Sequence, residues 1–204
     1  MTTAVPAKSA GPAIGRWALL GLRWRAKILL TLGMREVAVD VFRQILAEMP
    51  NDVHALNSLA YDALQTGHPA QAHPIFEQVA QLSPELSNAH FNLAFVSEEL
   101  GHLEQAERAF RAAIAIEEKM DRAWYGLGLV LVRLGRHEEA LVALKRNSQL
   151  QPMSPHSWYQ MARIHVDLKR PEEAVKLIRH LKGFEPKVAA QLERETGLRT
   201  GQAV

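Results

Sequence analysis

Nine histidines, at positions 54, 68, 73, 90, 102, 137, 156, 165 and 180, are the first candidates for chemistry in this sequence of 204 residues. Two rings leave one face of a helix together, as metal ligation needs, when they are spaced as in His-x-x-x-His. No pair has that spacing, and His68 and His73 are five apart with Pro69 between them. The chain has no cysteine, which removes thiolate metal sites, a cysteine nucleophile and disulfides. "RHEEA" at 136–140 lacks the second histidine of a zinc-protease helix, the glycines form no phosphate loop, and no serine sits in Gly-x-Ser-x-Gly. The acid pairs Glu98–Glu99, Glu117–Glu118, Glu138–Glu139 and Glu172–Glu173 suit helix starts and solvated surfaces. The expectation is a protein without catalysis, metal or cofactor, its histidines mostly in loops and on the surface. His165 and Asp62 fall on faces that are elsewhere apolar, and each is expected to be a satisfied polar group at a partly open seam.

The elements that must position any remaining function are visible as a period. Aligned against itself, the chain repeats every 34 residues without insertion, in units 19–52, 53–86, 87–120, 121–154 and 155–188. One column reads Ala26, Ala60, Ala94, Gly128, Ala162 and a second reads Ala38, Ala72, Ala106, Ala140, Ala174. Small residues at matching places in two helices predict antiparallel partners that cross closely there. Gly33, Gly67, Gly101 and Gly135 stand between the helices, where a left-handed turn carries no Cβ penalty; unit five has Lys169 instead, then Pro171 at a helix start. Phe42, Phe76, Phe110, Leu144 and Ile178 fill a large apolar column. Pro50, Pro84, Pro152 and Pro186 are expected to stop the second helices, with Glu118 the departure.

This gapless array resembles the tetratricopeptide repeat family, most closely in "HFNLAFVSEELGHLEQAERAF" and "AWYGLGLVLVRLGRHEEALVAL". The resemblance spans residues 19–188 and implies an all-α solenoid: five helix-turn-helix units winding as a right-handed superhelix. Around it, residues 1–14 are rich in Ala, Pro, Gly and Thr and are expected to lack fixed structure, residues 15–188 to form the solenoid, and residues 189–204 to supply a capping helix and flexible tail. In "PKVAAQLERETGL", Val188, Ala189 and Leu192 share one side while Lys187, Glu193, Arg194 and Glu195 are expected to face water, which suits a cap over the last repeat. Arg25 stands where the other units have Leu59, Leu93, Leu127 and Met161, as an exposed first helix tolerates.

The resemblance further implies that first helices line a concave groove holding peptide segments of other proteins. Helical periodicity then puts Asn57, Tyr61, Phe91, Asn92, Phe95, Arg122, Tyr125, Arg133, Tyr159 and Arg163 on that groove, rings for apolar anchors and amides for a peptide backbone. Gly126 falls beside Tyr125, where a missing side chain makes room for a ligand or for a ring such as Tyr159 or Trp158. The family's clamp for a C-terminal carboxylate is rejected, because Tyr61 and Gly126 stand where an asparagine and an arginine are wanted and Asn57 where a lysine is.

Charge adds a second expectation. The formal net charge is +2, yet the first 35 residues carry six cations and no acid, leaving 18 basic against 22 acidic residues in the body. A body so balanced predicts no nucleic-acid partner. Trp17, Arg23, Trp24 and Lys27 on one helix suit contact with a membrane surface, and the solenoid ends suit self-association into a homo-oligomer. "WALLGL" is too short for a signal peptide core, and no run is long enough to span a bilayer. The expected location is the cytoplasm, in part at a membrane. The principal functional expectation is a scaffold or assembly factor that binds a partner's peptide; the alternative is a peripheral membrane or self-assembling protein organised by the N-terminal helix.

Overall fold

The computed structural model describes residues 15–200, Arg16 by its backbone alone. The segment 1–14, expected to lack fixed structure, and residues 201–204 of the expected tail lie outside the described residues. All regular structure among the described residues is helical. The chain divides between Ser83 and Pro84 into two compact units. The first contains α1 (Arg16–Thr31), α2 (Arg35–Glu48), α3 (Val53–Gln65) and α4 (Pro69–Leu82). The second contains α5 (Ser87–Glu99), α6 (Leu103–Ile116), α7 (Asp121–Arg133), α8 (His137–Leu150), α9 (Pro155–Asp167), α10 (Pro171–Lys182) and α11 (Pro186–Thr196). The helices α3, α5, α7 and α9 open at 53, 87, 121 and 155, where the 34-residue period starts its units.

Each hairpin turn has the same hydrogen-bonded form. Gly67 N–H donates to Leu64 O and His68 N–H to Ala63 O, and the same two bonds recur around Gly33, Gly101, Gly135 and Lys169. This closure of a helix C-terminus requires a left-handed residue. The four glycines have φ between 73° and 79°, and Lys169 is held at φ 56°. A side chain there costs about 1–2 kcal/mol. Lys169→Gly is therefore expected to raise stability by about 0.5–1 kcal/mol after the added freedom of the unfolded chain is counted. Urea unfolding checks it, and a loss of stability would show that the lysine side chain contributes contacts of its own.

The small columns are buried throughout, and Phe42, Phe76, Phe110, Leu144 and Ile178 lie beneath them as the large core residues. A Cβ on Gly128 would stand 2.6 Å from Leu144 Cγ, so the close crossing of α7 and α8 needs a glycine where the other hairpins accept alanine. Between hairpins a latch recurs that the period did not reveal. Trp124 Nε1 donates to Glu118 O (2.8 Å), Trp158 Nε1 donates to Pro152 O (3.1 Å), and His90 Nε2 lies 2.9 Å from Pro84 O, each ring reaching back six residues to the connecting loop.

Two expectations about the C-terminal end change. Pro186 does not stop α10, which ends at Lys182; it opens α11, where proline's missing N–H and fixed φ suit a first helical residue. The cap thus starts three residues before the expected 189. Ala189 and Leu192 are buried against Ala162, Ile178 and Leu181, as a cap requires. Glu193 and Glu195 do not simply face water: Glu193 accepts from Thr200 N–H and Oγ1–H, and Glu195 accepts from Tyr159 Oη–H at 2.6 Å.

Candidate functional site

In the second unit, α5 and α7 present Phe91, Phe95, Tyr125 and Leu129 to a pocket of about 480 Å³. Its floor is Phe110 from α6, and its far edge is polar, made by Asp121, Asn147, Gln151 and Ser154. The 34-residue period stacks Phe91 and Tyr125 on equivalent positions of successive first helices, which is why rings from two repeats meet in one place.

Gly126 shapes this pocket differently from the expectation. It is buried, and a Cβ there would stand 2.3 Å from Phe110 Cζ. The ring it admits is Phe110 of the preceding hairpin, not Tyr159 or Trp158. Phe110 in turn meets Phe91 edge-on, with centroids 5.9 Å apart. The Arg122 guanidinium lies 4.7 Å from the Phe91 ring centroid, a cation–π contact at the rim.

Glu98 enters the same pocket. Its side chain is 20% exposed and its carboxylate lies 3.8 Å from Arg133 Nη1, while Arg133 donates to the Glu98 backbone carbonyl at 2.9 Å. Burial pushes the Glu98 carboxyl above its ordinary range, with Arg133 opposing. The folded state thus holds this proton more tightly, so Glu98's contribution to stability falls as pH rises from the ordinary carboxylate range through its raised folded value. Tyr125 is also raised, first by burial, against a hydrogen bond with Gln160, and further by the nearby Glu98 charge.

Asn147 and Ser157 form a buried polar pair at the pocket's edge. Asn147 Nδ2 donates to Asp121 O at 2.7 Å and its Oδ1 accepts from Ser157 Oγ at 2.7 Å. Sequence reasoning missed Glu98, Asp121, Asn147, Gln151 and Ser154. One signal was present: Asn147 stands in a column otherwise Ile45, Val79, Ala113 and Leu181, and Ser157 in one otherwise Gly21, Ala55, Ala89 and Ala123. Two polar residues that replace each other's apolar neighbours together point to a local departure from the repeat.

The other expected groove residues do not line this pocket. Asn92 is half-buried on α5 and does not line the pocket. Tyr159 is tied to Glu195 of the cap, with the Arg163 guanidinium 5.9 Å from its ring. Asn57 and Tyr61 belong to the first unit: Asn57 Nδ2 turns back to Val53 O at 3.0 Å, and Tyr61 packs edge-on to Phe76. In that unit Trp24, Lys27 and Arg23 border a smaller pocket of about 380 Å³ with Leu20, Leu30, Phe42, His54 and Ser58. Arg23 is already engaged by Asp52 at 2.5 Å.

Of the two polar residues on apolar faces, Asp62 is satisfied, its carboxylate accepting from Arg35 Nε and its carbonyl from Arg35 Nη2 at 2.8 Å. His165 is not. Its Nδ1 is buried without a protein hydrogen-bond partner, and burial lowers its pKa, which favours the neutral ring. Among the described residues no three histidine, aspartate or glutamate side chains gather as a metal site, and no helix is long and apolar enough to cross a membrane.

Paired antiparallel helices with close small-residue crossings, repeated at 34 residues, define a helical repeat protein of the α-solenoid class. Residues 63–127 match the tetratricopeptide repeat family, and residues 111–181 match the family described as anaphase-promoting complex, cyclosome, subunit 3. The chain thus carries tetratricopeptide repeats over the matched residues 63–127.

Solved structures with this fold include the protein YrrB, described as a TPR protein with an unusual peptide-binding site (17% identity, 90% of this chain and 92% of that one, TM-score 0.77). They also include MamA (21% identity, 91% and 97%, TM-score 0.75) and residues 41 to the end of MamA from Desulfovibrio magneticus RS-1 (20% identity, 91% and 100%, TM-score 0.75). At these identities the likeness is one of fold. No curated protein matches the sequence.

Proposed function

We propose that the protein is a non-catalytic interaction scaffold, and that the aromatic pocket of its second unit receives an apolar side chain from a segment of a partner polypeptide. The observation that carries this reading is the open pocket itself: three rings, Phe91, Phe95 and Tyr125, stand around about 480 Å³ of space, with Phe95 48% exposed. Exposed rings beside polar hydrogen-bonding groups are how anchor residues of a peptide are commonly received. The amide of Gln151 and the Ser154 hydroxyl suit the backbone of the same segment. The fold shared with YrrB, a protein described by its peptide-binding site, agrees with this reading.

Affinity capture with the full chain, compared with Phe95→Ala plus Tyr125→Ala, tests it. Loss of two anchor-pocket rings is expected to weaken a bound partner by about 100-fold or more. The helical circular dichroism of the variant should be unchanged, because Phe95 is half exposed and Tyr125 sits at the rim of the core. An unchanged set of captured partners with the fold intact would overturn the assignment.

A further inference from the structure

We propose that the outward face of α1 docks on an anionic lipid surface. This helix is apolar on two opposite sides. One side, with Leu19, Leu22, Ala26 and Leu29, is packed into the core of the first unit. The other carries Trp17, Leu20, Trp24 and Ile28 in water, with Trp17 82% and Trp24 56% exposed. Steps of three and four residues put these four side chains on one stripe. Arg25 and Lys27, both exposed, flank the stripe on opposite sides, about 95° and about 65° from its midline at 100° per residue. A helix apolar on both sides normally has both covered.

The flanking charge selects the cover. No acid occurs in the first 35 residues, so the stripe has cations on both flanks and no anion. A second copy meeting this face with its own α1, in a two-fold contact, would set Arg25 and Lys27 of one chain against those of the other. An anionic headgroup layer satisfies them while the indole rings rest at headgroup depth and the Leu20 and Ile28 side chains reach the acyl boundary. Lys27 Nζ lies 5.3 Å from the Trp24 ring centroid, so cation and ring already share one rim. Arg23, expected from the sequence to join this contact, does not: its guanidinium is bound to buried Asp52. Leu20, Arg25 and Ile28 take its place.

The test is sedimentation of the full chain with phosphatidylcholine vesicles, with and without phosphatidylglycerol, read beside tryptophan emission and collisional quenching. The expected result is binding only to the anionic vesicles, with blue-shifted emission. Trp17→Ser with Trp24→Ser should weaken it by about tenfold or more, and Arg25→Glu with Lys27→Glu should abolish it. These side chains are exposed, so thermal unfolding of both variants should match the parent. No binding by the folded parent chain, equal binding to neutral vesicles, or undiminished binding by the tryptophan variant would each overturn the proposal. So would a Trp17 and Trp24 contribution, taken as the parent emission less that of the tryptophan variant, already blue-shifted and shielded without lipid, because the stripe would then be covered by a second copy or by the chain's own first 14 residues.

Discussion

Gly126→Val is expected to destabilise the protein by about 2–3 kcal/mol, against the general rule that removing an interior-helix glycine helps. The rule fails here because of Phe110. A Cβ at 126 would approach three atoms of that ring to 2.3, 2.6 and 2.9 Å, well inside contact distance. The ring is 1% exposed and meets Phe91 edge-on, so it can move only towards the pocket whose floor it forms. Valine's branch fixes the clash in every rotamer that a helix allows. Phe110→Ala alone should cost about 3–5 kcal/mol through the cavity it leaves. Valine at 126 fills part of that cavity, so the double variant should be less destabilised than the sum of the singles by about 2 kcal/mol. Urea unfolding of the four proteins gives the coupling directly. Additive losses would mean that the glycine is not there for the ring.

Asp52→Ala is expected to cost about 2 kcal/mol in the first unit, while Asp52→Asn should cost about half of that. Asp52 is 6% exposed and does two things at once. Its carboxylate accepts from Ala55 N–H at 2.9 Å, capping α3, and holds Arg23 of α1 at 2.5 Å. A lost cap contributes about 1 kcal/mol. Arg23 would also be left unpaired; its side chain is 40% exposed, so water takes up much of the charge and this part is about 1 kcal/mol rather than the larger cost of breaking a fully buried pair. Asparagine still caps but cannot balance the guanidinium, which separates the two contributions. Equal losses for alanine and asparagine, read from thermal and urea unfolding, would assign the whole effect to the ion pair.

Helix pairing was legible because each repeat restates it: the two alanine columns and the turn glycines carry the same geometric demand several times over. The pocket was legible in part. Phe91, Phe95, Arg122 and Tyr125 could be placed on a shared face by helical period alone. Glu98 follows Phe91 and Phe95 at steps of four and three and shares their face; Asn147 and Ser154 could not be placed so, since they come from the interior of the next hairpin's second helix and a connecting loop, and period says nothing of how those approach. For Gly126 the period points to a ligand or to first-helix rings such as Tyr159 and Trp158, because it relates first helices to one another; the ring that needs the space, Phe110, comes from a second helix. Tyr159, on the groove face by period, is tied to Glu195 of the cap helix across 36 residues, a contact that period does not show. Lys169 departs from its column in type but not in backbone, because the two hydrogen bonds of the turn, made by main-chain atoms, impose the left-handed conformation on whichever residue stands there.

The central claim is that the pocket around Phe95 meets another polypeptide. A photo-crosslinking amino acid placed at position 95, and separately at Val142, which is exposed on α8 away from the pocket lining, tests it most directly once the adducts are mapped by mass spectrometry. Adducts to a discrete segment of another polypeptide from position 95, and none from position 142, are the predicted result. Equal adducts from both positions, or adducts from position 95 only to the protein's own chain, would contradict it.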